Sequence, residues 1–181
     1  MRKILLVEDN EMNRDMLSHR LERKEFEVII AVDGQAGVIN TGTLRAIGGA
    51  TLQLAGVFDN AGGIIEAQDG STVELGVGLV ATGGQLRTTG SGVLRSTTGF
   101  GPPSLQDLTI NGRIEVPVAT ILILGGTIVN NGLVEVGDQI RPSGDLVLSG
   151  SGEVNLIGSG QILPEGDSFT NGPGHTIRAS G

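Results

Sequence analysis

The sequence predicts a mainly β protein: a parallel β-helix (solenoid) of about seven coils, preceded by a small N-terminal β-α-β fragment. The 181 residues include 31 glycines and no cysteine, tryptophan or tyrosine, a composition typical of a repetitive chain. A short glycine-led motif recurs about every twenty residues in the larger, C-terminal part. Both lysines and all three methionines lie at or before Lys24, so the chain changes composition early and has two parts.

The first part, residues 1–38, is predicted to fold as a strand, a helix and a second strand. Ile4 to Val7 is a continuous apolar run, which suits a strand buried on both faces. Asp9 or Asn10 can cap the start of a helix, and the β-branched stretch from Phe26 to Val32 predicts the second strand. The helix is amphipathic, and its apolar side chains recur at helical spacing: Met12, Met16, Leu17 and Leu21.

Three segments of this first part form a recognisable pattern: Lys3-Ile4-Leu5-Leu6-Val7-Glu8-Asp9-Asn10, Asn13-Arg14-Asp15-Met16-Leu17 and Ala31-Val32-Asp33-Gly34-Gln35-Ala36. Together they resemble the N-terminal part of a bacterial response-regulator receiver domain, over about residues 2–37. In that family two acidic residues after the first strand help to bind a divalent metal, and Glu8 and Asp9 match them. The metal bridges to a phospho-accepting aspartate at the end of a third strand.

The resemblance to the receiver family is incomplete where its chemistry takes place. At the expected acceptor position the chain reads Ala50-Thr51-Leu52-Gln53-Leu54-Ala55-Gly56, which contains no aspartate. The family also needs a later lysine near the phosphoryl group, and no lysine follows Lys24. The fragment is therefore predicted to be incompetent for phosphorylation. Glu8 and Asp9 are interpreted as a vestigial pair that serves as no metal site.

The second part, residues 39–181, repeats a motif of glycine, any residue, an aliphatic, a charged or polar residue, and a small or aliphatic one. Its alternation predicts strands with one buried face. The longer interval between Gly84 and Gly112 contains the segment from Thr97 to Pro103. Because proline has no amide hydrogen to donate to a neighbouring strand, this segment predicts a loop that bulges from the solenoid. The copies begin at Gly42, Gly63, Gly84, Gly112, Gly132 and Gly152, with a seventh, lacking the glycine, at His175.

Further strands are predicted between these copies, with glycine and asparagine supplying the positive φ values of the corners. Each coil should then contain two or three short strands, hydrogen-bonded to the equivalent strands of the next coil, with aliphatic side chains stacked inside. The additional strands are Thr51–Leu54, Thr72–Leu75, Gly92–Arg95, Thr120–Leu124 and Asp145–Leu148. The charged residues of the motif are predicted to face solvent: Arg45, Glu66, Arg87, Glu115 and Glu135.

These repeats resemble those of haemagglutinin-like and autotransporter-type bacterial surface proteins. The resemblance implies a right-handed parallel β-helix in a cell-surface or secreted protein. The N-terminus does not read as an export signal, because Glu8 and Asp9 end its apolar run too early. As written, the chain is therefore expected to be cytoplasmic.

Composition excludes several partners. The formal net charge of -8 argues against binding to nucleic acid, whose phosphates attract basic surfaces. No apolar run is long enough to span a bilayer as a helix. The absence of cysteine excludes disulfides and cysteine-ligated zinc. Protein or surface glycan remains as a candidate partner, together with end-to-end or edge self-association of the solenoid.

No residue set predicts catalysis or a bound cofactor. The Gly-x-Gly triplets do not open a helix after a strand, so they are interpreted as corners. His19 and His175 have no cysteine or second histidine near them in sequence, so neither predicts a metal site. Asp138, Arg141 and Asp145 are the candidates for a polysaccharide-lyase site, but they are interpreted as a polar, proline-containing loop.

The leading hypothesis is a non-enzymatic structural or adhesin-like solenoid, with the receiver fragment as its N-terminal cap. Two alternatives stay open. The change of composition near residues 37–39 also suits an artificial or accidental fusion with no evolved function, and the first part suits a signalling protein derived from a response regulator.

Overall fold

The computed structural model describes residues 2–7, 16–20, 23–24, 26–31 and 37–181, apart from residue 100. The chain divides into two compact units, Met1–Val38 and Ile39–Gly181. Glu8, Asp9, Met12 and Leu21, on which parts of the receiver and cap hypotheses depend, lie outside the described residues.

The first unit contains two parallel strands and a helical segment. Strand β1 (Arg2–Val7) pairs with β2 (Phe26–Ala31) in register from Arg2 opposite Phe26 to Val7 opposite Ala31, which confirms the two predicted strands. Residues 16–20 are helical. Met16 is 47% exposed and Leu17 is half-buried, whereas Ser18 is buried, so the helix does not bury all of its apolar side chains.

The second unit is a β-solenoid whose coils each contain up to three strands. Equivalent strands stack into three columns, and every pairing between them is parallel. The first column consists of β3 (Val38–Ile39), β6 (Val57–Asp59), β9 (Val80–Thr82), β12 (Ser104–Gln106), the first halves of β15 (Ile121–Asn130) and β17 (Gln139–Ser149), and β19 (Gln161–Ile162).

The second column adjoins the first through the continuous strands β15 and β17, so the two columns form one sheet. It consists of β4 (Thr43–Ala46), β7 (Ile64–Ala67), β10 (Gln85–Thr88), β13 (Thr109–Asn111), the second halves of β15 and β17, and β20 (Phe169–Asn171). The third column is a separate 7-stranded sheet. Its strands are β5 (Thr51–Leu54), β8 (Thr72–Leu75), β11 (Val93–Ser96), β14 (Arg113–Val116), β16 (Leu133–Val136), β18 (Glu153–Ile157) and β21 (Thr176–Ser180).

Aliphatic side chains at equivalent register positions form the core. In the third column the inward side chains are Leu52, Val73, Leu94, Ile114, Val134, Val154 and Ile177. The five in the middle are at most 1% exposed, while the two at the ends are half-buried. Each fully buried aliphatic side chain stabilises the fold by about 1.5–3 kcal/mol, so the stack is a main source of stability.

The structure corrects the predicted alignment of the repeat copies. The first three copies form the second-column strands β4, β7 and β10, whereas the later four form the third-column strands β14, β16, β18 and β21. Leu86 pairs with Ile110, and Leu94 pairs with Ile114, so the long interval between Gly84 and Gly112 records a change of column. The motif cannot distinguish the columns because both need an aliphatic side chain inside and a polar one outside.

The segment from Thr97 to Pro103 lies between strands β11 and β12, as predicted, but the prediction that it bulges from the solenoid is wrong for its described part. It is tied to the preceding coil: the Thr97 amide donates to the Leu75 carbonyl at 3.1 Å, and the Gly78 amide donates to the Gly101 carbonyl at 2.7 Å. The described part of this connection therefore follows the coil beside it.

Candidate functional site

The outer face of the second column contains a buried carboxylate between two arginines. The alternation of β7 turns Glu66 away from the aliphatic interior, and the register places Arg45 and Arg87 on the adjacent coils. Arg87 Nη2 lies 2.7 Å from Glu66 Oε1, and Arg45 Nε pairs with Oε2. The prediction that Glu66 faces solvent is therefore wrong: its side chain is 1% exposed because both arginines lie against it.

The hydrogen bonds around Glu66 keep it ionised. Burial by itself raises the pKa of this carboxyl, because a charge is poorly solvated inside a protein. Hydrogen bonds from Arg45, Arg87 and Gln68 outweigh that effect and hold the pKa of Glu66 below its ordinary value of 4.5. The Gln68 amide contributes a bond of 3.1 Å to Oε2. The cluster is a fixed ion triad joining three coils.

A second network lies on the third column. Glu115 and Glu135 are register neighbours on β14 and β16, where two carboxylates would repel each other. Arg113 lies between them, with Nη2 2.9 Å from Glu115 Oε1 and 2.6 Å from Glu135 Oε2. Arg95 adds a contact of 2.7 Å to Glu115 Oε2. Both glutamates are about one-fifth exposed. Four charged groups thus connect three successive coils.

Next to this network is a groove of about 260 Å³. It lies at the corner between the third and first columns, where β16 and β17 are separated by Gly137 and Asp138 alone. The equivalent corners before and after it are longer, at residues 117–120 and 158–160, so the short corner forms a notch between them. Exposed apolar side chains combine there with charged ones; the lining residues are Arg113, Glu115, Val116, Pro117, Val118, Glu135, Gly137 and Ile157.

His175 is buried at the corner between the second and third columns, with its side chain contacting two asparagines. The residue is 6% exposed. Its Nε2 lies 3.0 Å from Asn130 Nδ2, and its Nδ1 lies 2.6 Å from Asn171 Oδ1. Burial lowers the pKa of His175 below its ordinary value of 6.5. Nothing in the sequence indicates that Asn130, two coils away, is the partner of His175.

The candidate lyase residues do not form a single site. Arg141 and Asp145 lie in strand β17, not in the predicted loop, because the chain continues as a strand through Pro142 and bends near Gly144, whose φ is +67°. Arg141 donates to Gln139 Oε1 at 2.9 Å, and Asp145 accepts a hydrogen bond from Ser168. Asp138 is at the preceding corner. Arg141 and Asp145 therefore have different hydrogen-bond partners.

Within the described part of the chain, no cluster of three or more histidine, aspartate or glutamate side chains could hold a metal ion. The helical residues that are described likewise include no segment long and apolar enough to cross a membrane. No protein-family model, curated protein or solved structure matches the chain.

Proposed function

We propose that the chain is a non-enzymatic structural or adhesin-like β-solenoid, which presents a stable extended surface and does not convert a substrate. The supporting observation is the use of its outward charges: Glu66, Glu115 and Glu135 each pair with arginines on neighbouring coils. A carboxylate that acts as a general acid or base must exchange protons near the operating pH. Carboxylates held in ion pairs are better suited to joining coils.

The groove beside Val118 is the proposed binding surface, with a protein or a surface glycan as its partner. Val118 is 73% exposed and Ile157 is 37% exposed, so both have apolar area left to bury. Arg113, Glu115 and Glu135 line the same groove and provide hydrogen-bonding groups. Apolar walls with a few fixed polar groups are typical of binding sites.

The proposal is tested by measuring binding and substrate turnover in parallel, and it predicts binding without turnover. For binding, the full chain would be screened against a glycan array and against immobilised bacterial-surface and host-matrix proteins. For turnover, it would be incubated with a panel of polysaccharides, and released sugar would be measured. We expect a ligand whose affinity falls about tenfold in Val118→Asp, the loss from one apolar contact. Val77→Asp is the matched control, because Val77 is also exposed at a corner but is outside the groove. Released sugar, or equal binding by both variants, contradicts the proposal.

The first unit is proposed to be a receiver-like fragment that is incompetent for phosphorylation. The support is the sequence itself, which has the acidic pair Glu8 and Asp9 but neither an acceptor aspartate in Ala50–Gly56 nor a lysine after Lys24. Incubation with acetyl phosphate and Mg²⁺ should therefore give no acyl phosphate by mass spectrometry. A stable adduct would favour the alternative of a signalling protein derived from a response regulator.

We further propose that residues 1–38 act as a cap, because the end coil of a solenoid exposes apolar side chains and unpaired backbone. The support is the apolar character of the helix, including the exposed Met16. Replacing Leu17 and Leu21 together with aspartate should cause association or a lower Tm, since burying two large aliphatic side chains contributes about 3–6 kcal/mol. A double variant that stays monomeric with an unchanged Tm contradicts the cap, and residues 1–38 would then be a passive tail.

A further inference from the structure

The hydrogen bonds around His175 define one protonation state of its ring. Asn130 Oδ1 accepts from the Gly132 amide at 3.0 Å, and Asn130 Nδ2 donates to the Glu153 carbonyl at 3.1 Å. These backbone partners fix the orientation of the Asn130 amide, because an N–H can only donate and a C=O can only accept. The Asn130 NH₂ group therefore faces His175 Nε2, which must be an acceptor without a proton.

The other ring nitrogen is fixed in the same way. Asn171 Nδ2 donates to the backbone carbonyl of His175 at 3.2 Å. This places Asn171 Oδ1 against His175 Nδ1, so Nδ1 must carry the proton. All five hydrogen bonds are satisfied together only by the neutral ring with its hydrogen on Nδ1.

We propose that His175 is an acid-sensitive latch that holds the last coil, strands β20 and β21, on the solenoid when neutral and releases it when protonated. A second proton on Nε2 would point at the Asn130 NH₂ group, donor against donor. Turning the Asn130 amide around would sacrifice its bonds to Gly132 and Glu153. The protonated ring must therefore leave its site, and Asn171 on β20 and the start of β21 lose their anchor.

Charged side chains on the neighbouring strands provide no counter-charge for a protonated ring. Strands β15 and β20 contain no titratable residue. On β18 and β21, Glu153 and Arg178 are already paired with each other. On β17, Arg141 is hydrogen-bonded to Gln139 and Asp145 to Ser168. A cation on His175 would therefore be both buried and unpaired, which is costly.

Release of the last coil would uncover apolar surface and free strand edges. Within the part of the chain that the structure describes, strand β21 pairs only with β18, and β20 pairs only with β17. Their register partners include Leu146 and Val154, which are at most 1% exposed in the closed structure. Exposed edges and aliphatic side chains favour association with another chain. Acidification is thus expected to promote self-association of the chain through these uncovered strands.

Hydrogen exchange on the full chain tests the latch. Protection factors, corrected for the intrinsic rate, would be compared at about pH 7.5 and about pH 5, where a histidine of ordinary pKa changes charge but carboxylates stay ionised. We expect protection of β20 and β21 to fall about tenfold or more, while β8 and β11 stay unchanged. In His175→Gln, which cannot take up a proton there, the pH dependence should disappear. The control is His19→Gln, which alters the only other histidine and should retain it.

A second measurement applies if His175→Gln does not fold. The imidazole of His175 in the unaltered chain would be titrated by NMR, and its protonation should coincide with the loss of β21 protection. The latch is refuted if the ring titrates near the ordinary value of 6.5 while β21 stays protected. It is equally refuted if His175→Gln shows the same acid-induced loss as the unaltered chain.

Discussion

Glu66 shows how single residues join neighbouring coils. Its carboxylate is buried and accepts bonds from arginines on the coils to either side, so Glu66→Gln leaves both guanidinium groups without their anion. Removing one member of such a group costs about 2 kcal/mol when the partners are partly exposed. We expect this loss in the free energy of unfolding by urea. Glu135→Gln, at a more exposed position, should lose less than about 1 kcal/mol. Equal losses would contradict the buried triad.

The lowered pKa of Glu66 also makes the free energy of unfolding depend on pH. Because the pKa of Glu66 is lower in the folded state than its ordinary value of 4.5, its charge favours folding above that value. The contribution should be lost as the pH falls from about 4.5 through the folded pKa. Urea unfolding at a series of pH values should show a shallower acid decline for Glu66→Gln than for the unaltered chain. Parallel declines would assign the acid sensitivity to other groups.

For single residues, the sequence predicts on which face of its strand a side chain lies, but it does not predict which residues surround that side chain. The alternation of β4, β7 and β10 correctly places Arg45, Glu66 and Arg87 on an outer face. It cannot predict the burial of Glu66, since that depends on two arginines each 21 residues away along the chain. The partner of His175 is still further away, 45 residues earlier at Asn130.

Corners decide how closely the strands of adjacent coils can stack. Gly84 has a φ of +67°, and a Cβ there would lie 2.0 Å from the Asn60 carbonyl oxygen. Gly62 has a similar φ of +77° with open space around it, which makes it a matched control. Gly62→Ala should cost about 1 kcal/mol from backbone strain alone. Gly84→Ala should cost about 1–3 kcal/mol more than Gly62→Ala because of the steric clash. Thermal unfolding would measure the loss of stability in both variants. Equal losses would mean that the corner at Gly84 shifts to make room for the added Cβ.

Strands could be predicted from the sequence where apolar and polar residues alternate over four or more positions. Thr51–Leu54 and Thr72–Leu75 have the predicted bounds, because four alternating residues are a clear signal. The first column was missed as a separate set, since strands such as Val57–Asp59 and Ser104–Gln106 are too short to show a period. Their strand conformation depends on pairing with adjacent coils, which is not a local property of the sequence.

The solenoid is built from nearest-neighbour contacts, because each of its described strands pairs only with equivalents in the coil before and the coil after. In such a structure stability is approximately a sum of coil and interface contributions. A defect in the middle therefore weakens two interfaces, whereas a defect in the last coil weakens one. The position of a substitution along the rod should matter as much as its chemistry.

Two isoleucines in the third column test this property. Ile114 on β14 is fully buried between coils, whereas Ile177 on β21 is half-buried and has a neighbour on one side only. Ile114→Ala should cost about 2–5 kcal/mol and split urea unfolding of the solenoid into two transitions, because the weakened middle no longer couples the two ends. Ile177→Ala removes the same atoms but should cost less than about 2 kcal/mol and leave the main transition intact, since only the last coil frays. Circular dichroism would follow both transitions. If the two variants lose equal stability in one cooperative step, the rod unfolds as a single unit and its stability does not follow the nearest-neighbour description.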